Sequence, residues 1–389
     1  MSRPSGVPRR VCVNGRFLTQ TTSGVQRFCR ELLAAVDEHL HQHAGAAPVQ
    51  AWELWVPTGA RDLPSYRAIR IRHFDESAGH AWDQRLRRHA ASEDILVNLA
   101  NGGPILRGNS LSVIHDAAVY RTPDNFTRAY AFFHRMLGRL VAWRSRVCTV
   151  SEFSKGELAE VLGLRRDDIA VVPNGGEHLT RVTPDDGVVE RLGLCDRGFF
   201  LFIGSPAPNK NLRTAIEAFA DPRLKDWPFI IVGSLDLSVF GTTTSALPAN
   251  VRTTGRLSDE EVAGLLRHAR ALVFPSLYEG FGIPPLEAML AGCPVLASDI
   301  PPVREVCGQA AWFFDPRDAQ ALAALVVRAT EDEAGLRALS EQGSVRSRQF
   351  TWARSAQALL DVVGRMACGD PVTQTAAGGA HPSGKGAKG

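Results

Sequence analysis

The sequence predicts an α/β protein made of two parallel-sheet domains. Short apolar runs of strand length alternate with amphipathic helical stretches along most of its 389 residues, and this alternation is typical of parallel sheets joined by crossover helices. The series restarts after a stretch rich in Pro, Gly and charged residues, and a chain of this length exceeds one ordinary hydrophobic core. We therefore expect one domain on each side of that stretch.

The predicted strands fall into two sets, one for each domain. The first set comprises residues 11–13, 53–56, 69–73, 95–99, 112–115, 147–150 and 170–172. The second set comprises residues 199–203, 229–232, 251–254, 271–274, 295–297 and 311–314. Ser154 and Ser258 are each followed by a glutamate three residues later, which is the pattern of a capping box, so we expect helices to begin there.

Domain boundaries follow from these elements. Residues 351–368 have the apolar spacing of an amphipathic helix, and both termini have a composition that is typical of disorder. The predicted segments are a disordered N-terminus (1–9), an N-terminal domain (10–174), a linker or hinge (175–197), a C-terminal domain (198–350), a final helix (351–368) and a disordered tail (369–389).

The composition argues against several classes of protein. No apolar run of about 18 residues occurs, so no membrane-spanning helix is expected, and the polar residues 1–10 do not resemble a signal peptide. We therefore expect a cytoplasmic protein. The seven cysteines are scattered without any Cys-x2-Cys, so neither a disulfide framework nor a zinc site is predicted. A nicotinamide dehydrogenase would need a Gly-x-Gly-x-x-Gly after an early strand, and neither domain has one.

The N-terminal half is basic. Lys and Arg outnumber Asp and Glu by 23 to 17 in residues 1–172, whereas 21 face 24 in residues 173–389. An acidic acceptor or an anionic membrane surface would be attracted to such a half, although solvated arginines paired with helix carboxylates give the same count. Residues 126–143 predict a basic amphipathic helix. We expect its apolar stripe to pack against the sheet, and contact with lipid is the alternative.

The most informative stretch is residues 273–287. An apolar strand ends at Pro275, a glycine-bearing loop follows, and Pro284 and Pro285 open a helix that is expected to carry Glu287 in its first turn. Unpaired backbone N–H groups and the positive end of the helix dipole would face this loop, which favours a phosphate. A carboxylate in the same turn can hold the two hydroxyls of a ribose. The stretch is therefore interpreted as a nucleotide-sugar site.

Glu279 and Glu287 lie eight positions apart, and the stretch resembles the Glu-x7-Glu motif of retaining glycosyltransferases of family 4, whose fold is called GT-B. Further segments resemble landmarks of that family in the same order along the chain. They are residues 151–155, 172–175, 204–212 and 294–301. The resemblance covers about residues 10–366 and implies two Rossmann-like domains facing each other across a cleft, with the final helix crossing back to the N-terminal domain.

The resemblance also implies roles for individual residues. Glu279 would bind hydroxyls of the transferred sugar, Glu287 the nucleotide ribose and Lys210 the donor diphosphate. His115 would lie beside the C6 hydroxyl of the sugar; the alternative is a general base for the acceptor, as in an inverting enzyme. The catalytic set is thus His115, Lys210 and Glu279. The donor-binding set is Gly24, Arg27, Gly204, Ser205, Lys210, Arg256, Leu257, Gly280, Phe281, Gly282, Ile283 and Glu287.

Lys210 also follows from the pattern of its own segment. It comes after an apolar strand, at the edge where open α/β sheets bind ligands, and a fixed cation there would stabilise the negative charge that builds on a leaving diphosphate. Many family members carry an arginine after the glycine of this loop or before its lysine, whereas Ser205 and Asn209 stand at these positions here. Arg27 or Arg256 would have to supply a second cation.

The predicted function is metal-independent transfer of a hexose with retention of configuration. The sequence contains no Asp-x-Asp, so the metal clamp of the other large glycosyltransferase fold is not expected, and no other cofactor is expected either. Similarity to bacterial mannosyltransferases of polysaccharide assembly favours GDP-mannose as donor and a lipid-linked saccharide as acceptor, in the synthesis of exopolysaccharide or lipopolysaccharide. UDP-sugars are the alternative donors.

The remaining expectations concern partners and rival functions. Nucleic acid is not an expected partner, and peripheral contact with the cytoplasmic face of the inner membrane is an alternative to a freely cytoplasmic protein. A sugar-nucleotide epimerase of the same fold would bind the same donor and release free sugar. A non-catalytic GT-B partner subunit would keep the fold without activity, and Ser205 in place of arginine leaves that hypothesis open.

Overall fold

Two parallel sheets form the framework of the computed structural model, which describes residues 10–44, 51–233 and 247–369. The first sheet has the strand order β3-β2-β1-β4-β5-β6-β7. Its strands are β1 (Val11–Asn14), β2 (Trp52–Thr58), β3 (Ile69–Ser77), β4 (Ile95–Asn98), β5 (Ser110–Val113), β6 (Arg146–Thr149) and β7 (Ala170–Val171). The disorder expected for residues 1–9 and 370–389 concerns segments outside the described ranges.

The second sheet has the order β10-β9-β8-β11-β12-β13. Its strands are β8 (Phe200–Ile203), β9 (Phe229–Val232), β10 (Val251–Gly255), β11 (Ala271–Phe274), β12 (Val295–Ser298) and β13 (Trp312–Phe314). Each predicted strand is present, with ends that differ by a few residues. Strand β5 begins and ends two residues earlier than predicted. His115, which was predicted to end this strand, therefore lies in the loop after it.

Helices connect the strands and cover the sheets. In the first half they are α1 (Gly24–Gln42), α2 (His80–His89), α3 (Ala118–Arg121), α4 (Arg128–Arg144) and α5 (Glu152–Leu162). In the second half they are α6 (Gly187–Arg191), α7 (Leu212–Phe219), α8 (Asp259–His268), α9 (Ile283–Leu290), α10 (Pro301–Cys307), α11 (Ala319–Glu331), α12 (Glu333–Ser347) and α13 (Trp352–Ala367). Among the described residues, no helix is long and apolar enough to cross a membrane.

The strand order reverses once in each sheet. In the first sheet the chain moves outward from β1 to β3 and returns beside β1 with β4, and in the second it returns beside β8 with β11. The loops that follow the two central strands therefore diverge to opposite faces and leave a crevice at the carboxyl edge, which is where doubly wound sheets bind ligands. The loop with Lys210 follows β8, and the loop with Glu279 follows β11.

The final helix packs onto the N-terminal half of the chain, as the GT-B resemblance implied. The ring of Trp352 at the start of α13 lies 6.0 Å from that of Phe28 on α1, edge to face. Ser355 Oγ donates a hydrogen bond of 2.6 Å to the carbonyl oxygen of Pro173. Residues of both sheets, α1 and α13 belong to one continuous buried apolar cluster.

Two helix starts differ from the prediction. Helix α5 begins one turn earlier than expected: Ser151 is its N-cap and accepts a hydrogen bond of 3.0 Å from the Ser154 N–H. Helix α9 begins at Ile283, because Gly282 takes a positive φ of 110° that ends the preceding loop. Glu287 is consequently the fifth residue of α9 and lies beyond its first turn. The capping box at Ser258 is confirmed.

Candidate active site

Lys210 and Glu279 form an ion pair at the carboxyl edge of the second sheet. Lys210 ends a short 3-10 turn (Pro208–Lys210) after β8, and its Nζ lies 2.7 Å from Oε1 of Glu279, in the loop after β11. Their side chains are 20% and 10% exposed. The structure thus brings together the two residues predicted to bind the diphosphate and the transferred sugar, in a site where electrostatic interactions are stronger than in bulk water.

Asparagine side chains hold the two loops of this pair together. Asn209 Nδ2 donates to the Tyr278 carbonyl oxygen at 3.1 Å, and the Leu277 N–H donates to the Asn209 carbonyl oxygen at 2.8 Å. Asn211 takes a positive φ of 53° and donates through Nδ2 to the carbonyl oxygen of Pro275 at 3.0 Å. Asn209, which stands where many relatives have arginine, therefore positions the Glu279 loop. Ser205 is exposed in the same β8 loop.

Glycines line the edge of the sheet beside this pair. The Gly204 N–H donates to the Val232 carbonyl oxygen, and the Gly233 N–H donates to the Gly255 carbonyl oxygen. Gly233 has a φ of 135°, and a Cβ there would overlap with the carbonyl oxygen of Gly204. The close approach of these three strand ends therefore requires Gly233, which the sequence analysis did not select. A glycine directly after an apolar strand was the available signal.

Glu287 is buried and paired with a histidine. It is 7% exposed, and its Oε1 accepts a hydrogen bond of 2.8 Å from Nε2 of His178, which is 4% exposed. His178 Nδ1 has no hydrogen-bond partner among the described residues. Because Glu287 lies in the second turn of α9, it does not serve only to compensate the helix dipole. His178 lies in the predicted linker, and no role was predicted for it because no residue near it in sequence indicates that it pairs with Glu287.

His115 is buried in the loop after β5. It is 6% exposed, its Nε2 donates to the Leu99 carbonyl oxygen at 2.8 Å, and its ring meets that of Phe28 edge to face at 4.7 Å. Burial lowers the pKa of His115 to about 4, so the imidazole is neutral at pH 7. A neutral ring with so low a pKa is a weak proton acceptor, which argues against the alternative role of general base.

Asp116 faces the Lys210–Glu279 pair from the N-terminal half. Its Oδ1 accepts a hydrogen bond of 2.8 Å from the Ala118 N–H. Burial and the charge of Glu279 raise the pKa of Asp116, and Lys210 opposes this shift. The carboxyl group is therefore near both members of the pair. No role was predicted for this residue from the sequence, although it directly follows His115.

The Glu279 loop touches the N-terminal half of the chain directly. A Cβ at Gly280 would lie 2.5 Å from the carbonyl oxygen of His115, so only glycine permits this approach. Ser151 Oγ donates to the Gly280 carbonyl oxygen at 2.6 Å. The carboxylate of Glu305 on α10 accepts hydrogen bonds from the first backbone N–H groups of α5 at 2.7 and 2.9 Å. The cleft is closed at this point.

The start of α1 makes a second contact across the cleft. Gly24 packs against Ile283, whose Cδ1 would lie 3.4 Å from a Cβ at that glycine. Arg27 holds Asp259 of α8 through two hydrogen bonds of 2.8 and 2.6 Å. Nη2 of Arg256 donates to a backbone carbonyl oxygen in the loop before α1. In this conformation, both Nη atoms of Arg27 are hydrogen-bonded to the carboxylate of Asp259.

Two members of the predicted donor-binding set face the protein interior. The side chain of Phe281 is 4% exposed and its ring packs edge to face on Phe350 at 5.6 Å. Leu257 is half-buried against the main apolar cluster. Any donor contact at Phe281 is therefore left to its backbone, and the roles of both residues stay predictions.

A cavity of about 400 Å³ lies in the N-terminal half, beside Asp116. It is bounded by the loops after β1, β4 and β5 and by one face of α4. Its polar lining residues are Arg16, Gln20, Ser23, Gln26, His80, Asn101, Asp116, Tyr120, Tyr130 and His134. The cavity volume falls in the range of small-molecule sites. In the part of the chain described, no three His, Cys, Asp or Glu side chains are grouped as metal ligands, and metal-independent transfer stays a prediction.

Comparison with known proteins identifies the C-terminal half. Residues 192–346 match the family model of the glycosyl transferases group 1. The chain is 26% identical over 255 residues to the O-antigen chain mannosyltransferase B of Escherichia coli, a match that covers 62% of this chain and 67% of that protein. Two further bacterial mannosyltransferases are matched over only 24% and 59% of their own lengths.

Solved structures match nearly the whole chain. Sucrose-phosphate synthase from Thermosynechococcus elongatus superimposes with a TM-score of 0.72 at 18% identity, covering 92% of this chain and 99% of that one. Anabaena HepE, solved in complex with UDP and glucose, gives a TM-score of 0.67 at 15% identity over 91% and 99% of the two chains. Both likenesses concern the fold. Together with the family match, they show that the chain contains a glycosyl transferases group 1 domain over residues 192–346 and has the GT-B fold.

Proposed function

We propose that the protein transfers a hexose from a nucleotide sugar to a saccharide acceptor in the synthesis of a bacterial cell-surface polysaccharide, with mannose from GDP-mannose as the preferred donor. The single observation that carries the proposal is the enclosed Lys210–Glu279 pair at the switch point of the second sheet, opposite Asp116. A cation and two carboxylates meet there where the two halves of the chain touch.

The chemistry assigned to the pair follows from its charges. In the reaction, the bond between the anomeric carbon of the sugar and the diphosphate oxygen breaks, and the acceptor oxygen bonds to the same carbon from the same face. The acceptor proton passes to the leaving diphosphate. Lys210 neutralises the charge that develops on that diphosphate, which is worth most in the transition state. Glu279 binds hydroxyls of the sugar, and Asp116 accepts a hydrogen bond from the attacking hydroxyl.

Retention of configuration agrees with the geometry around the pair. His115, the candidate general base of the inverting alternative, is neutral, has a pKa of about 4 and donates its Nε2 proton to a backbone carbonyl oxygen, so it does not suit that role. The closed contacts at Gly280 and Arg27 exclude water from the reacting carbon, and this exclusion suppresses hydrolysis of the donor.

The preference for a guanine nucleotide rests on the relatives. Two of the similar proteins are named as O-antigen chain mannosyltransferases, and mannose is the sugar that this comparison favours. A UDP-sugar is the second candidate, because Anabaena HepE, of the same fold, was solved with UDP-glucose. The ribose is assigned to Glu287 in either case.

The proposed acceptor is lipid-linked, and helix α4 supports this with an exposed apolar surface. Its buried residues are Ala131, Leu137, Val141 and Ala142. Three of the residues expected to pack on the sheet are instead exposed: Phe132 (69%), Phe133 (40%) and Met136 (46%). Trp143 is 65% exposed, and the guanidinium of Arg144 lies over its ring. An aromatic face flanked by arginines is typical of contact with an anionic lipid surface.

The test of the function is a calorimetric titration with EDTA present. The protein is titrated with GDP, UDP and ADP, and then with the sugar nucleotides of the base that binds. We expect GDP to bind and GDP-mannose to be consumed only when a saccharide acceptor is added. Consumption without acceptor would indicate an epimerase or hydrolase, and binding of no nucleotide would refute the proposed function.

A further inference from the structure

One arginine and two histidines, whose side chains are positively charged or can be protonated, lie together at one end of the cavity in the N-terminal half. Arg16 follows β1, His80 is the first residue of α2, and His134 lies on the inner face of α4. Arg16 Nη1 is 3.5 Å from His80 Nδ1, and the rings of His80 and His134 have centroids 5.5 Å apart. The proposed donor chemistry uses none of these residues.

The charge of this cluster is balanced while the histidines are neutral. Asp83 is buried, with its Oδ2 3.0 Å from Arg16 Nη1 and 3.8 Å from His80 Nδ1. Burial lowers the pKa of His80, Arg16 lowers it further and Asp83 opposes this shift. Burial also lowers the pKa of His134, and His80 and Arg16 lower it further. Asp83 does not line the cavity, and Asp116 is the one carboxyl group among the lining residues described. At neutral pH the charges of Arg16 and Asp83 therefore cancel each other, and both imidazoles are uncharged.

The N-terminus of α2 lies next to this cluster, because His80 is the first residue of the helix. Its N-cap is Gly79, which has a φ of 124° and offers no side chain to the first N–H groups of the helix. Those groups and the positive end of the helix dipole favour an anion at the start of α2, where Asp83 already lies in the first turn. A guanidinium, two imidazoles and an uncapped helix end supply the donors that three phosphate oxygens accept.

We propose that Arg16, His80 and His134 bind a phosphate group of the acceptor, and that both histidines take up protons as it binds. This inference rests on the proposed function, since it names the chemistry of the acceptor. The phosphate would lie at the α4 end of the cavity, and the sugar would extend toward Asp116, where the attacking hydroxyl meets the Lys210–Glu279 pair. The basic character of the N-terminal half agrees with this assignment.

The test uses calorimetry on the full chain with its donor site saturated by the nucleoside diphosphate that binds. The probes are mannose 1-phosphate, methyl α-mannoside and geranyl diphosphate. We expect mannose 1-phosphate to bind at least about tenfold more tightly than the neutral mannoside. Repeating the titration in buffers of different ionisation enthalpy should reveal net proton uptake, and affinity should rise as pH falls from 8 to 6.

Variants link the effect to the cluster. His134→Asn and His80→Asn should remove the proton uptake. They should also lower the affinity for mannose 1-phosphate about tenfold. Arg16→Lys keeps a positive charge that can pair with Asp83. Its affinity for mannose 1-phosphate should therefore fall less than that of the double variant His80→Asn with His134→Asn. His73→Asn changes an exposed histidine on β3 and should match the wild type, which controls for loss of histidine as such.

The outcomes separate the sources of the phosphate and the two proposals. Tighter binding of geranyl diphosphate than of mannose 1-phosphate would assign the site to a lipid headgroup, and the reverse order would assign it to a sugar phosphate. Equal affinity for mannose 1-phosphate and the mannoside, or histidine variants with unchanged affinity, would overturn the inference. Absence of nucleotide binding would refute the proposed function, while the phosphate titrations could still be read without nucleotide.

Discussion

Replacing Gly280 with alanine should slow sugar transfer without weakening the binding of the donor. The added Cβ would lie 2.5 Å from the His115 carbonyl oxygen and 3.1 Å from Asp116 Cβ. Ordinary carbon contacts need about 3.5 Å, so the Glu279 loop and the His115 loop must separate by about 1 Å. A displacement of that size at reacting groups costs about 10²-fold in rate, or about 2.7 kcal/mol.

The assay is steady-state kinetics with the sugar nucleotide and acceptor, together with calorimetry of nucleoside diphosphate binding. We expect kcat to fall about 10²-fold, whereas nucleotide affinity should change less than about threefold because the new methyl group points toward the His115 loop. Gly156→Ala is the matched control: it lies in α5, where a Cβ meets nothing within 4 Å. It should keep full activity and stabilise the fold by about 0.5–1 kcal/mol. A wild-type rate for Gly280→Ala would refute the idea that this contact sets the active geometry.

Four further predictions concern separate residues. Lys210→Ala should lower kcat at least about 10²-fold through loss of the charge on the diphosphate; an unchanged rate would remove Lys210 from the mechanism. Glu287→Ala should weaken nucleotide binding in calorimetry more than it lowers kcat at saturating donor, and wild-type affinity would exclude ribose binding. His115 has a folded pKa of about 4, below the unfolded value, so stability should be fully present above about pH 6.5 and fall by about 3 kcal/mol as pH drops to 4. Urea denaturation at several pH values, with His115→Asn showing a flatter profile, measures this. Phe132→Ser with Trp143→Ser should abolish sedimentation with anionic vesicles while activity on a water-soluble acceptor persists; unchanged sedimentation would exclude α4 as the lipid contact.

The sequence predicted the architecture well because both sheets are built from short buried strands. Such strands are continuous apolar runs in a parallel sheet, and each predicted run is a strand of the structure. Helix starts were less predictable. Both Ser151 and Ser154 stand near the start of α5, and the choice of Ser151 as N-cap depends on where β6 ends.

The site was predictable only as far as its motifs are local. Lys210 and Glu279 were selected from their own loops, and the structure brings them together. His178, Gly233 and Asp116 were missed because their significance depends on partners that lie far away in sequence. The pairing of Arg27 with Asp259 joins residues more than 200 positions apart, so no local pattern could indicate that this arginine is already engaged.

The ion pair between Lys210 and Glu279 has a consequence for turnover. In this structure each group is the counter-ion of the other, so the proposed binding of a donor must separate them. On the proposed roles, an intact sugar nucleotide compensates both, since its diphosphate meets the lysine and its sugar hydroxyls meet the carboxylate. The nucleoside diphosphate left after transfer compensates only the lysine and places a second anion beside Glu279. Re-formation of the pair then favours product release, so the same two residues discriminate between substrate and product.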